Sequence, residues 1–183
     1  MKNKLLKVIT IAACLSLILL AFAGCGTEQQ DGAKSTLVMG TNAEFPPFEF
    51  ISDNGIVENF DGIDVAIAKE IAANLGMELK IENMEFDSII PSLKTGKADV
   101  GIAGMTVKPD RLENVDFTDT YYKATQVMIV REDSTIQSAA DLADKKVGVV
   151  LGYTGDTMVS DMNANISIER YKKGVDAVVE LKN

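Results

Sequence analysis

The chain has 183 residues, of which 46% are hydrophobic, 25% charged and 6% aromatic, with no Trp and no His; this balance excludes disordered, collagen-like and disulfide-scaffold architectures. Lys and Arg number 18 against 27 Asp and Glu, a net charge of −9, which leaves no basic footprint for nucleic acid. Without His the commonest general base and the commonest zinc ligand are missing, so no metal or cofactor is expected.

Lys2, Lys4 and Lys7 precede an apolar run from Val8 to Ala23, broken only by Thr10 and Ser16, which is the pattern of a secretory signal. The run ends Ala21-Phe22-Ala23-Gly24-Cys25. Small residues before a Cys resemble the bacterial lipoprotein box, whose Cys carries the lipid, although Phe22 stands where Leu is usual. The run is shorter than the ~20 residues of a membrane span. Residues 1–24 therefore read as a lipoprotein signal peptide, and Cys25 as the acylated anchor to the membrane. Cys14 would leave with the signal. Its removal takes three Lys and no acid, moving the net charge from −9 to −12. Gly26 to Ser35 lacks any large apolar residue, so residues 25–35 read as a flexible tether.

Thr36 to Gly40 is a short β-rich run, and Pro46 and Pro47 keep residues 41–50 out of helix. Ser52-Asp53-Asn54-Gly55 is a hairpin-like turn. Asp61 then precedes Ile63, Ala66, Ile67, Ile71 and Leu75, an i, i+3, i+4 stripe closed by Gly76, which predicts an amphipathic helix buried on that stripe. Met77 to Ile81 alternates as a strand with one wet face. Asp87 to Lys94 reads as a second helix with Pro91 in its first turn, and Lys97 to Ala103 as an apolar strand turning at Gly104. Strand, helix, strand, helix, strand in one direction predicts a parallel βαβ sheet. Beyond it, Gln126 to Val130 reads as a strand, Ser138 to Asp144 as a short helix and Lys146 to Val150 as a strand. Thr154 is placed to cap a helix running to about Asn163. Ile166 to Arg170 alternates, and Gly174 to Lys182 is helical. The expected organisation is α/β, with a first lobe over 36–123 and a partial second lobe over 124–183.

Open parallel sheets bind ligands beyond the carboxyl ends of their strands. Three segments fall there: Thr41 to Phe48, Asn83 to Asp87 and Ala103 to Arg111. Phe45 and Phe86 lie on these loops, suited either to stacking on a solute or to plugging the core, whereas Phe48 and Phe50 read as core. Gly104-Met105-Thr106 with Arg111 offers a close backbone N–H, a hydroxyl and a planar guanidinium fork, which together can clamp a carboxylate. The alternative for Arg111 is a surface ion pair with Glu113 or Asp116. Thr154 opens a helix and is either a second anion contact or a plain N-cap.

Together GTNAEFPPFEF (40–50), FDGIDVAIAKEIAANLG (60–76), NMEFDSIIPSLKTGKADVGIAGMTVKPDRLENVDFTDTYY (83–122) and KVGVVLGYTGDT (146–157) resemble the family 3 solute-binding proteins, extracytoplasmic receptors of ABC importers for polar amino acids. The resemblance implies a periplasmic-binding-protein-like fold, with two parallel-sheet lobes joined by a hinge. It implies a free amino acid as ligand, an ABC transporter permease as partner, a monomer, and a place outside the cytoplasm. Phe45 and Phe86 would sandwich the ligand's aliphatic stem. Gly104, Thr106 and Arg111 would hold its α-carboxylate, with Met105 beside them and Thr154 completing the site from the second lobe. Asn42 falls where relatives reading a cationic or amide side chain often carry Asp, and Glu44 adds a carboxylate for an ammonium or basic side chain, so glutamine or a basic amino acid is the expected ligand. The Asp that usually meets the α-ammonium would follow Leu181-Lys182-Asn183, so the sequence reads as a C-terminally truncated member with an incomplete second lobe.

Three other readings compete. One is a small cleft enzyme similar to cyclohexadienyl dehydratases, for which Glu44 is the available general acid or base. A second is a sensor module, which no downstream segment supports. A third is a fragment without function.

Overall fold

The computed structural model describes residues 35–162 and 164–183. The expected signal peptide, Cys25 and the tether as far as Lys34 lie outside the described residues.

Strand β1 (Thr36–Thr41) is central because its alternate apolar residues Leu37 and Met39 are buried. It pairs in parallel with β5 (Glu78–Asn83) on one side and β6 (Val100–Gly101) on the other. Parallel strands need crossovers, supplied by helix α1 (Ile63–Asn74) and, after a 3-10 turn at Phe86–Ser88, helix α2 (Ile89–Lys94). A small antiparallel sheet of β2 (Glu44–Phe45), β3 (Glu49–Ile51) and β4 (Phe60–Asp61) folds the loop after β1 back on itself. The expected third strand is shorter than Lys97 to Ala103, since only Val100 and Gly101 pair with β1.

Helix α1 forms where expected, but its buried face differs. Asp64, Val65, Ala68 and Ala72 are buried, whereas Ile63 (40% exposed), Ile71 (38%) and Leu75 (61%) face outward. At about 100° per residue the buried stripe lies roughly a quarter turn from the isoleucines. The helix meets the sheet through small residues, so Val65 and Ala68 reach Met39, Ala43, Phe60, Ile81 and Ile102 in one core. Asp61 does not cap the helix; its carboxylate accepts from the N–H of Gly62, the cap residue, whose φ of 120° only glycine adopts freely. A Cβ there would also collide with the Phe48 carbonyl. Phe48 is buried as expected, and Phe50 only half-buried.

Helix α3 (Pro109–Leu112) follows β6. Beyond it, β7 (Lys146–Val150) and β8 (Ser167–Tyr171) form a second parallel sheet, crossed by α4 (Thr154–Ser160) and followed by α5 (Gly174–Lys182). The strand expected over Gln126 to Val130 is absent: the segment has no ladder partner among the described residues, and Val127 and Ile129 are 69% and 66% exposed. A β-rich run without a neighbour has no hydrogen bonds to hold it as a strand. The expected helix over 138–144 is a 3-10 turn at Ala139–Leu142, closed by a reciprocal Ser138–Asp141 capping box.

Candidate functional site

Because β1, β5 and β6 run in parallel, the loops after all three leave from one edge of the sheet. Arg111, on α3, is 5% exposed there. Its Nη1 donates to the Thr106 carbonyl at 2.8 Å, and its Nη2 to the carbonyl of Gly152, beyond β7, at 3.0 Å. Its Cζ sits 5.2 Å from the Phe86 ring centroid, a cation–π arrangement. None of the ion pairs among the described residues includes Arg111. Burial lowers its pKa from the ordinary arginine range, with Asp110 opposing. The surface ion pair with Glu113 or Asp116 does not form. A guanidinium has five donors, and two are used by carbonyls, so this is a desolvated cation with N–H groups left for an anion.

The neighbouring residues are brought together, with roles that differ from expectation. The Gly104 N–H, expected to meet a ligand carboxylate, donates to Asp64 Oδ2 at 2.7 Å. Gly104 has φ 54°, and a Cβ there would lie 3.2 Å from the Phe45 ring, so the turn is tight against that phenyl group. Thr106 offers Arg111 its carbonyl, and Met105 is half-buried. Thr154 is the first residue of α4 rather than its cap, which is Tyr153, and no side-chain cap bond forms.

Tyr153 lies against both Phe45 and Phe86. Its ring lies 4.4 Å from Phe86 and 6.4 Å from Phe45, while Phe45 stacks on Phe48 at 5.4 Å. The Tyr153 hydroxyl donates to Asn42 Oδ1 at 2.8 Å, and Asn42 Nδ2 donates to the Met84 carbonyl at 2.9 Å. Burial pushes the Tyr153 phenol up to about 12. Glu44 holds the ammonium of Lys173 at 2.6 Å, so the carboxylate considered as a catalytic acid is engaged in an ion pair. Lys172 reaches Glu85 at 3.7 Å, and Lys108 donates to Thr157 Oγ1 at 2.7 Å. A cavity of about 180 Å³ opens beside Phe86, lined by Glu85, Asp87, Ser88, Leu151 and Lys172. A wider concavity of about 540 Å³ along Met84, Ser88, Ser92 and Lys97 touches none of the Arg111 contacts.

Under the Gly104 turn lies a pair of buried carboxyl groups that the sequence reading missed. Glu49 is 1% exposed and Asp64 fully buried. Asp64 Oδ2 also accepts from the Tyr121 hydroxyl at 3.0 Å, while Asp64 Oδ1 and both Glu49 oxygens find no other donor. Burial, and then the bond and charge of Asp64, push Glu49 up to about 10, so it is a neutral acid that can donate to Asp64. Burial raises the Tyr121 phenol as well, with Asp64 adding to the shift. Behind Gly152, Asp156 Oδ2 accepts from its N–H at 3.1 Å, and Oδ1 pairs with Arg170 Nε at 2.9 Å.

A family model for bacterial extracellular solute-binding proteins, family 3, matches residues 37–182. The arginine-binding extracellular protein ArtP of Bacillus subtilis is 40% identical over 142 residues, 78% of this chain and 54% of that protein. A probable histidine-binding protein of Neisseria gonorrhoeae is 38% identical over 182 residues, 94% of this chain and 67% of the relative. The structure of holo ArgBP from T. maritima aligns at 48% identity with a TM-score of 0.75, covering 81% of this chain and 65% of that one. The chain thus spans between about half and two thirds of the length of the proteins it matches.

Proposed function

Because the chain belongs to the bacterial extracellular solute-binding proteins of family 3, and has their periplasmic-binding-protein-like α/β fold, we propose that it binds a free polar amino acid outside the cytoplasm for an ABC importer, with a basic amino acid, arginine first, as the ligand. The observation that carries this is Arg111: a buried guanidinium, stacked on Phe86, whose acceptors are two neutral carbonyls. Such a cation is poorly compensated until a carboxylate arrives, and in a desolvated site that charge-assisted pair is strong. The Thr106 and Gly152 carbonyls hold the fork in place. Glu44 already holds one ammonium, that of Lys173, which supports a cationic side chain as its alternative partner. The arginine-binding names of ArtP and ArgBP agree with this choice. Cys25 would carry the lipid that keeps the receptor at the membrane.

Calorimetric titration of the full chain with arginine, lysine, glutamine and glutamate tests the reading. Saturable binding is expected, strongest for arginine, and weakened by about a hundredfold or more in Arg111→Met. Absence of saturable binding by any of the four overturns it.

A further inference from the structure

We propose that Tyr153 acts as an internal stand-in for the ligand's side chain and tunes affinity by competing with it for the place beside Phe45 and Phe86. This rests on the amino-acid reading above and deepens it.

Three contacts coincide. The Gly152 carbonyl takes one donor of the Arg111 guanidinium at 3.0 Å and so sets the following residue beside the cation. The next residue lays its ring against both phenyl groups expected to hold an aliphatic stem, 4.4 Å from Phe86 and 6.4 Å from Phe45. Its hydroxyl then ends on Asn42 Oδ1 at 2.8 Å, where a polar side-chain head would end. One residue, tethered beside the cation by its neighbour, therefore supplies an apolar body for the phenyl groups and a polar tip for the amide.

Two aromatic rings with centroids 4.4 Å apart are already in contact, and a third layer between them needs about twice that spacing. A ligand stem enters only when the Tyr153 ring leaves, giving up its contact with Phe86 and its bond to Asn42. The binding-competent fraction is then the fraction with Tyr153 displaced, and apparent affinity falls in proportion. Tyr153 heads α4 through its backbone and makes no side-chain cap, so truncating the ring leaves the helix start intact.

The test is arginine titration of the full chain as wild type, Tyr153→Phe and Tyr153→Ala, with tyrosinate absorbance followed against pH in the wild type and Tyr153→Phe. Arginine affinity is expected to rise about tenfold in Tyr153→Ala and by less in Tyr153→Phe, which loses only the Asn42 bond. In wild type without ligand, the Tyr153 phenol should titrate near 12, below the still later Tyr121; Tyr153→Phe should lose that step and keep the Tyr121 one, and saturating arginine should return the Tyr153 step toward the ordinary tyrosine range. Wild-type arginine binding that Tyr153→Ala leaves unchanged or weakens overturns the competition and leaves the amino-acid reading standing. A Tyr153 step near 12 in the wild type that Tyr153→Phe removes, with no arginine binding in any variant, overturns the amino-acid reading itself and the competition with it.

Discussion

Arg111 donates across 3.0 Å to the carbonyl of Gly152, forty-one positions later, and so ties the loop after β6 to the loop after β7. The bond joins the two sheets at the point where a charge is buried without an ion-pair contact among the described residues. It satisfies one donor of the fork and leaves the net charge uncompensated. A site arranged this way sacrifices ligand-free stability for affinity, a trade common where binding groups are held apart from their natural partners.

The Arg111→Met exchange should show that trade directly. Removing a desolvated cation while keeping an apolar stem against Phe86 is expected to raise ligand-free stability by about 1–3 kcal/mol. The Thr106 side chain is exposed and Gly152 half-exposed, so water can reach the carbonyls that the guanidinium leaves. Urea denaturation of wild type and variant without ligand checks the first part, and the loss of any arginine-induced rise in Tm checks the second. A large loss of ligand-free stability in the variant would mean that Arg111 is mainly a structural tie.

Glu49 sets an acid-side preference for stability. Its folded-state pKa, about 10, lies far above the ordinary glutamate value of 4.5, so between those values the folded chain holds a proton that the unfolded chain has released. The unfolded state then binds fewer protons, and stability falls as pH rises through that window, by at most about 1.4 kcal/mol per pH unit from this group. Glu49→Gln keeps a donor toward Asp64 and removes the titration. Its stability relative to wild type should therefore climb steadily from pH 5 to pH 9, as read by denaturation at each pH. Parallel curves for the two proteins would place Glu49 outside the linkage.

Much of this architecture was legible because it is local. The alternation from Met77 to Ile81, the glycine closing α1 and the β-rich run at Thr36 each announce their element within a few residues, and β5, α1 and β1 follow. What failed was set by neighbours. Gln126 to Val130 has strand composition but no ladder partner among the described residues. Of the apolar stripe expected on α1, Ile67 packs against the core while Ile63, Ile71 and Leu75 are exposed, and the sheet is met instead by Ala68 and Ala72, which allow a closer approach. In the site, residue type alone singled out Arg111, Phe45 and Phe86. The partners of Gly104, Asn42 and Asp64 come from 40, 111 and 57 positions away, beyond any local pattern.

The corrected face of α1 gives its own test. Val65 is fully buried in the first core, and Val65→Ala is expected to cost about 1–3 kcal/mol by lost burial and a residual cavity. Ile71→Gln, on the outward side, should stay within about 0.5 kcal/mol of wild type. Chemical denaturation of the two variants separates the faces; the reverse order would restore the isoleucine stripe as the buried one.

Asp156 is the residue on which the second sheet's contribution to the site rests. It is 7% exposed and accepts from the Gly152 N–H, from Ser160 Oγ and from Arg170 Nε. The Arg170 side chain is 42% exposed, so solvent screening holds that pair to about 1 kcal/mol or less. The bond to Gly152 matters more, because it fixes the peptide whose carbonyl meets Arg111. Asp156→Ala should lose about 1–3 kcal/mol of stability, since the half-buried Gly152 N–H is left without its acceptor. Asp156→Asn keeps an oxygen for that N–H and should lose less. Arginine affinity should follow the same order, because a displaced Gly152 carbonyl frees the Arg111 fork to shift. Denaturation and calorimetry on both variants decide it: equal losses for Asn and Ala would assign the effect to the Arg170 ion pair, and unchanged stability in both would remove Asp156 from the support of the site.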